Sequence, residues 1–316
     1  MYAVNLIKSL AMINIRYFLM IFLILLSVSW LGAQTPLWEG KGRIAISSDG
    51  NEHDHDDWAA TPLSLALLAA AGLQDHLAVY TYSDHIWGSN QAHPTSASGL
   101  NAYQQMRESA LGGQQWFGFE HTRFVCAVDN AEVAYRALRD EINKSSAENP
   151  LFIIAAGPMQ VIGEAINRSQ PEKRQYVTLV SHGVWNNVHA DNPGNDWWDV
   201  HSGWTFKEIK SVFGDEDGGG LKCIMILDQN GGDDYEGLKT DRAKFNWIKD
   251  SPARYHKLYN EGAWDWLYTR LETCIKNQGK NFDPSDAGMI IYLLTGVEKT
   301  NPDMAREIME NPTPKK

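Results

Sequence analysis

The residues best suited to chemistry lie in one short stretch, from Asp49 to Asp57. Its sequence is Asp-Gly-Asn-Glu-His-Asp-His-Asp-Asp, so nine positions hold five acids and two histidines. Carboxylates at this density repel one another unless a cation or a cationic ligand lies among them. An aspartate such as Asp56 could merely cap a following helix, but five acids exceed that need. The stretch therefore predicts a metal site, or a site that stabilises positive charge.

The two histidines allow a zinc site as one interpretation. His53, His55 and Asp57 match the first five positions of the HxHxDH motif of metallo-β-lactamase-type hydrolases. In that motif neutral imidazoles bind zinc and an aspartate orients water. Trp58 occupies the place of the last histidine, however, and that fold needs several strands ahead of the motif. A zinc hydrolase that uses His53, His55 and Asp57 stays an alternative.

The carboxylates allow a second interpretation, a hard cation such as calcium. Asp49 and Asn51 resemble the start of an EF-hand loop, but the glycine and the closing glutamate of that loop are missing. A calcium site of another type would use carboxylate oxygens and leave the histidines to substrate or solvent.

Strands and helices predicted from apolar periodicity must position this stretch. Runs typical of strands alternate with segments of helical spacing, and strands that are apolar throughout predict a parallel sheet covered on both faces. We therefore predict an α/β fold with a mostly parallel central sheet flanked by helices and with a helical C-terminal part. The predicted strands are 43–48, 77–82, 151–155, 176–181 and 221–227, and the predicted helices are 58–71, 130–143, 159–167, 205–213, 253–276 and 286–295.

The loops after the predicted strands share a location, because ligands of such sheets bind at the carboxyl ends of the strands. Most of these loops are rich in Asp, Asn, His, Gly or Trp, and we expect them to converge on one edge of the sheet. A solvated turn is the alternative for the last of them. The loops are residues 49–57, 83–98, 156–158, 182–201 and 228–234.

The N-terminal residues 1–33 form a separate segment, which we predict to be a signal peptide. Lys8 and Arg16 are its only charges, an apolar run follows them, and small residues end the segment at Ala33, the predicted cleavage site. An uncleaved membrane anchor is the alternative. Cleavage would leave a single domain, residues 34–316, that is secreted or periplasmic and makes no stable association with a membrane.

The charge balance excludes some classes of partner. Loss of the segment removes two basic residues and no acid, so the net charge becomes two units more negative than the −11 of the whole chain. Such a surface disfavours nucleic acid and anionic membranes. We therefore expect a small-molecule partner, and a homo-oligomer is compatible with this composition. Cys126, Cys223 and Cys274 show no CxxC pair, which argues against a zinc ribbon, although two of them could form a disulfide in an exported protein.

Three segments resemble the nucleoside hydrolase superfamily, and their order and spacing span nearly the whole mature chain. Its members open with a strand and a D-x-D-x-x-x-D-D loop that binds calcium. Asp49, Asp56 and Asp57 match the first acid and the paired acids of that loop if one residue is inserted. Residues 155–162, Ala-Ala-Gly-Pro-Met-Gln-Val-Ile, are similar to the family's strand that ends in Gly-Pro-Leu-Thr-Asn-Ile. Residues 286–293, Asp-Ala-Gly-Met-Ile-Ile-Tyr-Leu, are similar to its D-P-x-A-x-A-Y-L segment.

The resemblance implies a role for each matched residue. In the family the last Asp of the loop binds calcium and the Asp before it holds sugar hydroxyls, which here makes Asp57 a ligand and Asp56 a sugar contact. The carbonyl of the residue before the Gly-Pro pair also binds calcium, and that residue is Ala156. The Asp of the last segment closes the calcium site, which implies Asp286, although Asp283 is close enough to compete.

Departures from the family pattern concern the catalytic groups. The family's general base, the second Asp of the loop, aligns with Asn51, and an amide cannot take a proton at neutral pH. Asp54 or Glu52 could act instead if the inserted residue bulges the loop. In some members of the family, the residue before the Asp of the last segment is a histidine that protonates the leaving group. In this chain that residue is Ser285.

Leaving-group protonation and sugar recognition require further residues. His182, after the fourth predicted strand, and His85, after the second, are the candidates for the acid, and a hydrogen-bonded loop histidine is the alternative for each. The family's Glu-Phe-Asn sugar clamp is absent. Polar residues, and tryptophans that could stack on a sugar or base, are therefore the candidates for substrate binding: Asn186, Asn187, Asn195, Trp185, Trp197 and Trp198.

The resemblance thus implies a calcium-dependent hydrolase that cleaves an N-glycosidic or other glycosidic bond of a nucleoside or saccharide. In such a reaction calcium holds a water and two vicinal hydroxyls, a carboxylate deprotonates the water, and an oxocarbenium-like ring forms. A rim of carboxylates stabilises that positive charge. The alternative from another class is a calcium-dependent carbohydrate-binding protein in which Asn51 and Ser285 mark lost catalysis.

Overall fold

The computed structural model describes residues 34–50, 55–86, 101–184, 186, 203–215 and 220–314. The predicted signal peptide, residues 1–33, lies outside these described residues. Residues 36–316 belong to one compact unit. None of the described helices is long and apolar enough to cross a membrane.

A six-stranded sheet forms the centre of the fold. Its strands are β1 Arg43–Ser48, β2 Leu77–Tyr82, β3 Arg123–Cys126, β4 Leu151–Ala156, β5 Val177–Ser181 and β6 Lys222–Met225. All neighbours pair in parallel, in the order β3-β2-β1-β4-β5-β6. The predicted α/β fold with a parallel central sheet is thus confirmed. Two short strands, β7 Thr240–Asp241 and β8 Asn281–Phe282, form a separate antiparallel pair.

Helices cover both faces of the sheet. They are α1 Asp56–Ala70, α2 Ala102–Phe117, α3 Ala131–Asn143, α4 Gln160–Asn167, α5 Phe206–Phe213, α6 Trp247–Asp250, α7 Ala263–Gln278, α8 Gly288–Thr295 and α9 Pro302–Glu310. Short 3-10 turns occur at Gln74–His76, Pro171–Tyr176, Arg242–Phe245, Pro252–Tyr255 and Ser285–Ala287. In β1, Ile44 and Ile46 belong to one core cluster and Ala45 to the other, as alternation along a doubly covered strand requires. The first cluster includes α1, α2, α7, α8 and α9, and the second includes α3, α4 and α5.

Some elements differ from the prediction. Strand β3 and helix α2 were not predicted, because β3 is a four-residue edge strand and α2 carries two central glycines that weaken its periodic signal. The predicted continuous helix 253–276 is wrong. Helix α7 begins only at Ala263, after Gly262, whose left-handed φ of 84° interrupts the helical path. Helix α1 begins at Asp56, two residues before the predicted start.

Helix α1 is buried on almost every side and contains Pro62. A proline has no N–H for the carbonyl four positions earlier, which here belongs to Trp58. Ser109 of α2 supplies the missing donor, since its Oγ donates to Trp58 O at 2.6 Å. Arg270 of α7 in turn donates to Ser109 Oγ at 3.0 Å. The two neighbouring helices thus stabilise the helix that begins with the paired acids.

Candidate functional site

The strand order places a ligand crevice at the carboxyl ends of β1 and β4. From β1 the chain proceeds outward to β2 and β3, and then it returns to β4 and proceeds to β5 and β6 on the other side. Ligands of open α/β sheets bind where this direction reverses. Dinucleotide-binding proteins with this strand order carry a glycine-rich loop after the first strand. The loop after β1 is acidic instead, which disfavours a phosphate ligand.

Three carboxylates lie together in this crevice. Oxygen atoms of Asp49, Asp56 and Asp57 lie within 4.8 Å of one another. Asp49 directly follows β1, and its N–H donates to the carbonyl of Ala156, at the end of β4, at 3.1 Å. Gly157 allows this close approach, because a Cβ at that position would lie 3.0 Å from the Asp49 carboxylate. The ends of two central strands therefore hold the first acid of the cluster.

Backbone amides and the start of α1 hold the other two acids. Gly50 N–H donates to Asp57 Oδ2 at 3.0 Å, and the indole N–H of Trp58 donates to Gly50 O at 2.9 Å. Asp57 N–H donates to Asp56 Oδ1 at 2.9 Å. Both acids lie in the first turn of α1, where unpaired N–H groups and the helix dipole favour negative charge. The N-cap residue is His55, so capping does not account for Asp56.

Burial and like charge make this cluster unfavourable without a counter-ion. Asp57 is 1% exposed. Burial raises the pKa of Asp57 well above its usual range, and the negative charges of Asp49, Asp286 and Asp56 raise it further. The buried Oδ1 of Asp57 has no hydrogen-bond donor among the described residues. An orphaned carboxylate oxygen beside two further carboxylates fits a hard cation such as Ca²⁺, which takes about six to eight oxygen ligands.

Asp286 lies close enough to the cluster to interact with it, in the 3-10 turn before α8. It is not one of the three acids whose oxygens lie within 4.8 Å of one another. His182 Nε2 donates to Asp286 Oδ1 at 2.6 Å, and both side chains are buried. Burial raises the pKa of Asp286, the hydrogen bond from His182 lowers it, and the charge of Asp49 raises it again. The structure thus pairs a predicted metal ligand with a predicted acid.

The second ring nitrogen of His182 also has protein partners. The backbone N–H of Gln229 donates to Nδ1 at 3.1 Å, and Asp228 Oδ1 lies 3.5 Å from the same atom. Burial lowers the pKa of His182, but the hydrogen bonds to Asp228 and Asp286 outweigh burial and raise it to about 9. The Gln229 amide opposes this rise, because it needs a lone pair on Nδ1. In the doubly protonated ring, and in the neutral ring whose Nδ1 accepts from Gln229, Nε2 carries a proton that is directed at Asp286.

The two remaining candidates near Asp286 have different surroundings. Asp283, the predicted competitor, forms an ion pair with Lys239, whose Nζ lies 2.7 Å from Asp283 Oδ2. The charge of Asp286, rather than that of Asp283, is among the causes of the raised pKa of Asp57. Ser285 is fully buried, and its Oγ has no partner in the described part of the chain.

The end of β2 contributes a further buried carboxyl group, which was not among the predicted site residues. Asp84 is fully buried, and the hydroxyls of Ser47 and Thr81 donate to its Oδ2, the latter at 3.0 Å. Burial raises the pKa of Asp84 to about 8, against the lowering effect of the two hydroxyls. Ser83, the residue before it, has a φ of 56°, a left-handed conformation that costs energy for a non-glycine residue.

The other predicted residues fall into two groups. His85 is buried directly after Asp84, and Asn186 lies after β5, where its amide donates to Ala155 O at 3.5 Å. Asn186 therefore lies near the end of β4. The roles of the second group stay predictions, because these residues lie outside the described parts of the chain: Asn51, Asp54, Asn187, Asn195, Trp185, Trp197 and Trp198.

His55, the histidine of the acidic stretch that lies within the described residues, contacts an aromatic ring. The His55 imidazole stacks on Trp58, with ring centroids 4.0 Å apart. Among the described residues, the group able to hold a metal contains only aspartates. His53 lies outside the described residues. The geometry therefore favours oxygen ligands over the zinc interpretation.

The three cysteines are all free thiols, and Cys274 Sγ donates to the His55 carbonyl at 3.0 Å.

Three site residues could have been found from their positions in sequence. Asp84 comes two residues after the end of β2, just as Asp49 comes directly after β1. Asp228 and Gln229 lie in the loop after β6, and a solvated turn was the alternative for that loop. Their contact with His182 carries no local sequence signal, because it joins residues from two different strand ends.

The chain is similar to an uncharacterized protein, P22, of Formosa agariphila. The two are 33% identical over 274 residues, which cover 85% of this chain and 89% of that protein. No protein-family model matches the chain. The identity and the coverage show that the chain belongs to the same family as the Formosa agariphila protein.

Proposed function

We propose that the protein is a calcium-dependent hydrolase of nucleoside-hydrolase type, which cleaves a glycosidic bond of a nucleoside or saccharide. The observation that carries this proposal is the cluster of Asp49, Asp56 and Asp57 at the reversal point of the sheet. The resemblance of three sequence segments to the nucleoside hydrolase superfamily supports it. The predicted signal peptide, residues 1–33, would place the reaction outside the cytoplasm.

Calcium suits the donor atoms of this cluster. Zinc sites use mainly histidine and cysteine, whereas calcium takes carboxylate and carbonyl oxygens in flexible geometry. The residues that would hold the ion are Asp49 and Asp57, with Asp286 and the carbonyl of Ala156 as further ligands. Asp57 offers an oxygen with no donor among the described residues, which a cation would satisfy.

The bound ion and the residues around the cluster would each have a separate role in substrate binding and bond cleavage. A bound calcium would supply an anchor for sugar hydroxyls and would make a bound water more acidic. Asp56 is less buried than Asp49 and Asp57 and is therefore best placed to accept a hydrogen bond from a sugar hydroxyl. Asp54 would take the proton of the attacking water. The negative charge of the crevice would stabilise the positive charge that develops on the sugar ring.

A specific observation favours a second candidate function, calcium-dependent carbohydrate binding without hydrolysis. Both ring nitrogens of His182 have protein partners, and Ser285 stands where some nucleoside hydrolases have a histidine acid. Of the two predicted acids, only His85 would then remain a candidate for protonation of a leaving group.

Cation titration of the purified chain tests the metal site. After treatment with a chelator, the chain should bind Tb³⁺ at one site, and Ca²⁺ should displace it. Asp57→Asn should weaken binding by at least about 100-fold, because a buried ligand loses its charge. Asp303→Asn is the matched control, since Asp303 is also the second residue of a helix, α9, but is exposed. Equal affinity of the wild type and Asp57→Asn would contradict the site.

A substrate screen separates the two candidate functions. Nucleosides and oligosaccharides would be incubated with the chain, with and without Ca²⁺, and released reducing sugar or free base would be measured. Calcium-dependent release is the expected result. Saturable binding without release would favour the carbohydrate-binding candidate. Activity restored by zinc but not by calcium would contradict the proposal.

A further inference from the structure

We propose that His182 is a positioning residue, which holds the carboxylate of Asp286 in a fixed orientation beside the Asp49–Asp56–Asp57 cluster. This inference rests on the proposed calcium site and identifies a residue that tunes its affinity. His182 directly follows β5 and Asp286 precedes α8, so the contact joins residues 104 positions apart. It therefore connects two of the loops that surround the crevice.

The contacts of His182 place a proton on Nε2. Gln229 N–H donates to Nδ1 at 3.1 Å, so the ring proton resides on Nε2 and is directed at Asp286 Oδ1, 2.6 Å away. A carboxylate that accepts such a bond loses rotational freedom. Partners of this kind, one step removed from a metal ion, orient its ligands and raise its affinity.

Gln229 provides a rigid support for the imidazole. Its side chain is fully buried, and its Nε2 donates to Leu227 O at 2.6 Å and to Glu298 O at 2.9 Å. Thr300 Oγ1 donates to Gln229 Oε1 at 2.6 Å. The residue whose backbone N–H donates to His182 is thus held in place by three hydrogen bonds of its side chain.

The same contacts separate His182 from a substrate. His182 is 4% exposed, and each ring nitrogen already has a protein partner. Proton transfer to a leaving group would require breaking one of these hydrogen bonds. The geometry therefore assigns His182 to the support of Asp286 and not to the acid role expected from the sequence.

Two polar substitutions of His182 distinguish the contribution of Nε2 from that of Nδ1. The amide of His182→Gln can place an N–H near the position of Nε2, whereas that of His182→Asn can replace only Nδ1. Tb³⁺ affinity and luminescence lifetime, which reports the number of bound waters, would be measured without substrate. His182→Gln should bind as the wild type does. His182→Asn should bind roughly 10- to 100-fold more weakly and carry an additional bound water.

His76 provides the matched control. It is a partly buried histidine whose Nδ1 contacts Gly42 O at 2.9 Å, just before the start of β1 and so at the opposite end of the sheet. His76→Asn should leave Tb³⁺ affinity unchanged. Equal affinities of His182→Gln and His182→Asn, whether weak or strong, would overturn the positioning role alone. A wild-type chain that binds neither Tb³⁺ nor Ca²⁺ would overturn the calcium proposal and this inference together.

Discussion

The amino end and the carboxyl end of the parallel sheet differ in whether their buried polar groups have hydrogen-bond or ion-pair partners. At the amino end, Arg43 of β1 forms an ion pair with Glu141 and donates to Glu141 O at 3.0 Å and to Asn149 Oδ1 at 3.3 Å. At the carboxyl end, Asp57 and Asp84 each retain a buried oxygen with no donor among the described residues. Paired polar groups stabilise a fold, whereas unpaired buried ones cost free energy.

The proposed cation site would account for this difference. The buried hydroxyl of Ser285 also lies at the carboxyl end without a partner in the described part of the chain. Groups of this kind are retained where a ligand or an ion supplies the missing partner. Removal of a paired charge at the amino end should therefore destabilise the fold, whereas neutralisation of an unpaired carboxylate at the carboxyl end should stabilise it.

Arg43→Met should have the largest effect on stability. Arg43 and Glu141 are largely buried, with side-chain exposures of 14% and 13%, and removal of Arg43 leaves Glu141 with only the more exposed Lys144 as an ion-pair partner. We expect the free energy of unfolding to fall by about 3 kcal/mol in denaturant titrations. Tb³⁺ affinity should stay unchanged, and a parallel loss of affinity would break the comparison between the two ends.

Ser109→Ala should have the next largest effect on the free energy of unfolding. The substitution removes the donor for the Trp58 carbonyl, which Pro62 cannot satisfy, and should lower the free energy of unfolding by about 2 kcal/mol. The exposed Ser211 of α5 provides the control, and its alanine variant should lie within about 0.5 kcal/mol of the wild type. Equal stability of the two variants would show that the Trp58 carbonyl does not depend on Ser109.

Asp57→Asn should change stability in the opposite direction. In excess chelator, an amide removes the repulsion and burial of a charge in the cluster, so the free energy of unfolding should rise by about 1 to 2 kcal/mol. The gain should disappear in saturating Ca²⁺, which stabilises only the wild type. A loss of stability in chelator would mean that Asp57 supports the fold by itself.

Asp84 should make stability depend on pH. Its pKa is about 8 in the folded chain against an ordinary value of 3.8, so the folded state binds more protons between these values. Stability should therefore be highest in acid and should fall as the pH rises through about 8, by roughly 1 kcal/mol per pH unit. Asp84→Asn should make this part of the profile less steep, as measured by denaturant titrations in chelator between about pH 5 and pH 8, and the raised pKa values of Asp57 and Asp286 account for the slope that remains. An identical profile in the variant would assign the dependence to another group.

Much of the fold could be predicted because it follows from local patterns. Apolar runs located β1, β2, β4 and β5 to within one residue of their observed ends. Strand β3 and helix α2 were missed, since a short edge strand and a helix with adjacent glycines carry weak periodicity. Helix α7 was predicted too long, because an apolar pattern does not show where Gly262 turns the backbone.

The acidic stretch from Asp49 to Asp57 determined by itself that three carboxylates lie beside one another, because its acids flank a single strand-to-helix turn. The sequence also determined the fold class, through the alternation of apolar strands and helices. Only the tertiary structure decided that His182 contacts Asp286 and Gln229. Those contacts depend on which strands are neighbours and on which way each loop turns, and neither is encoded in the spacing of residues along one segment.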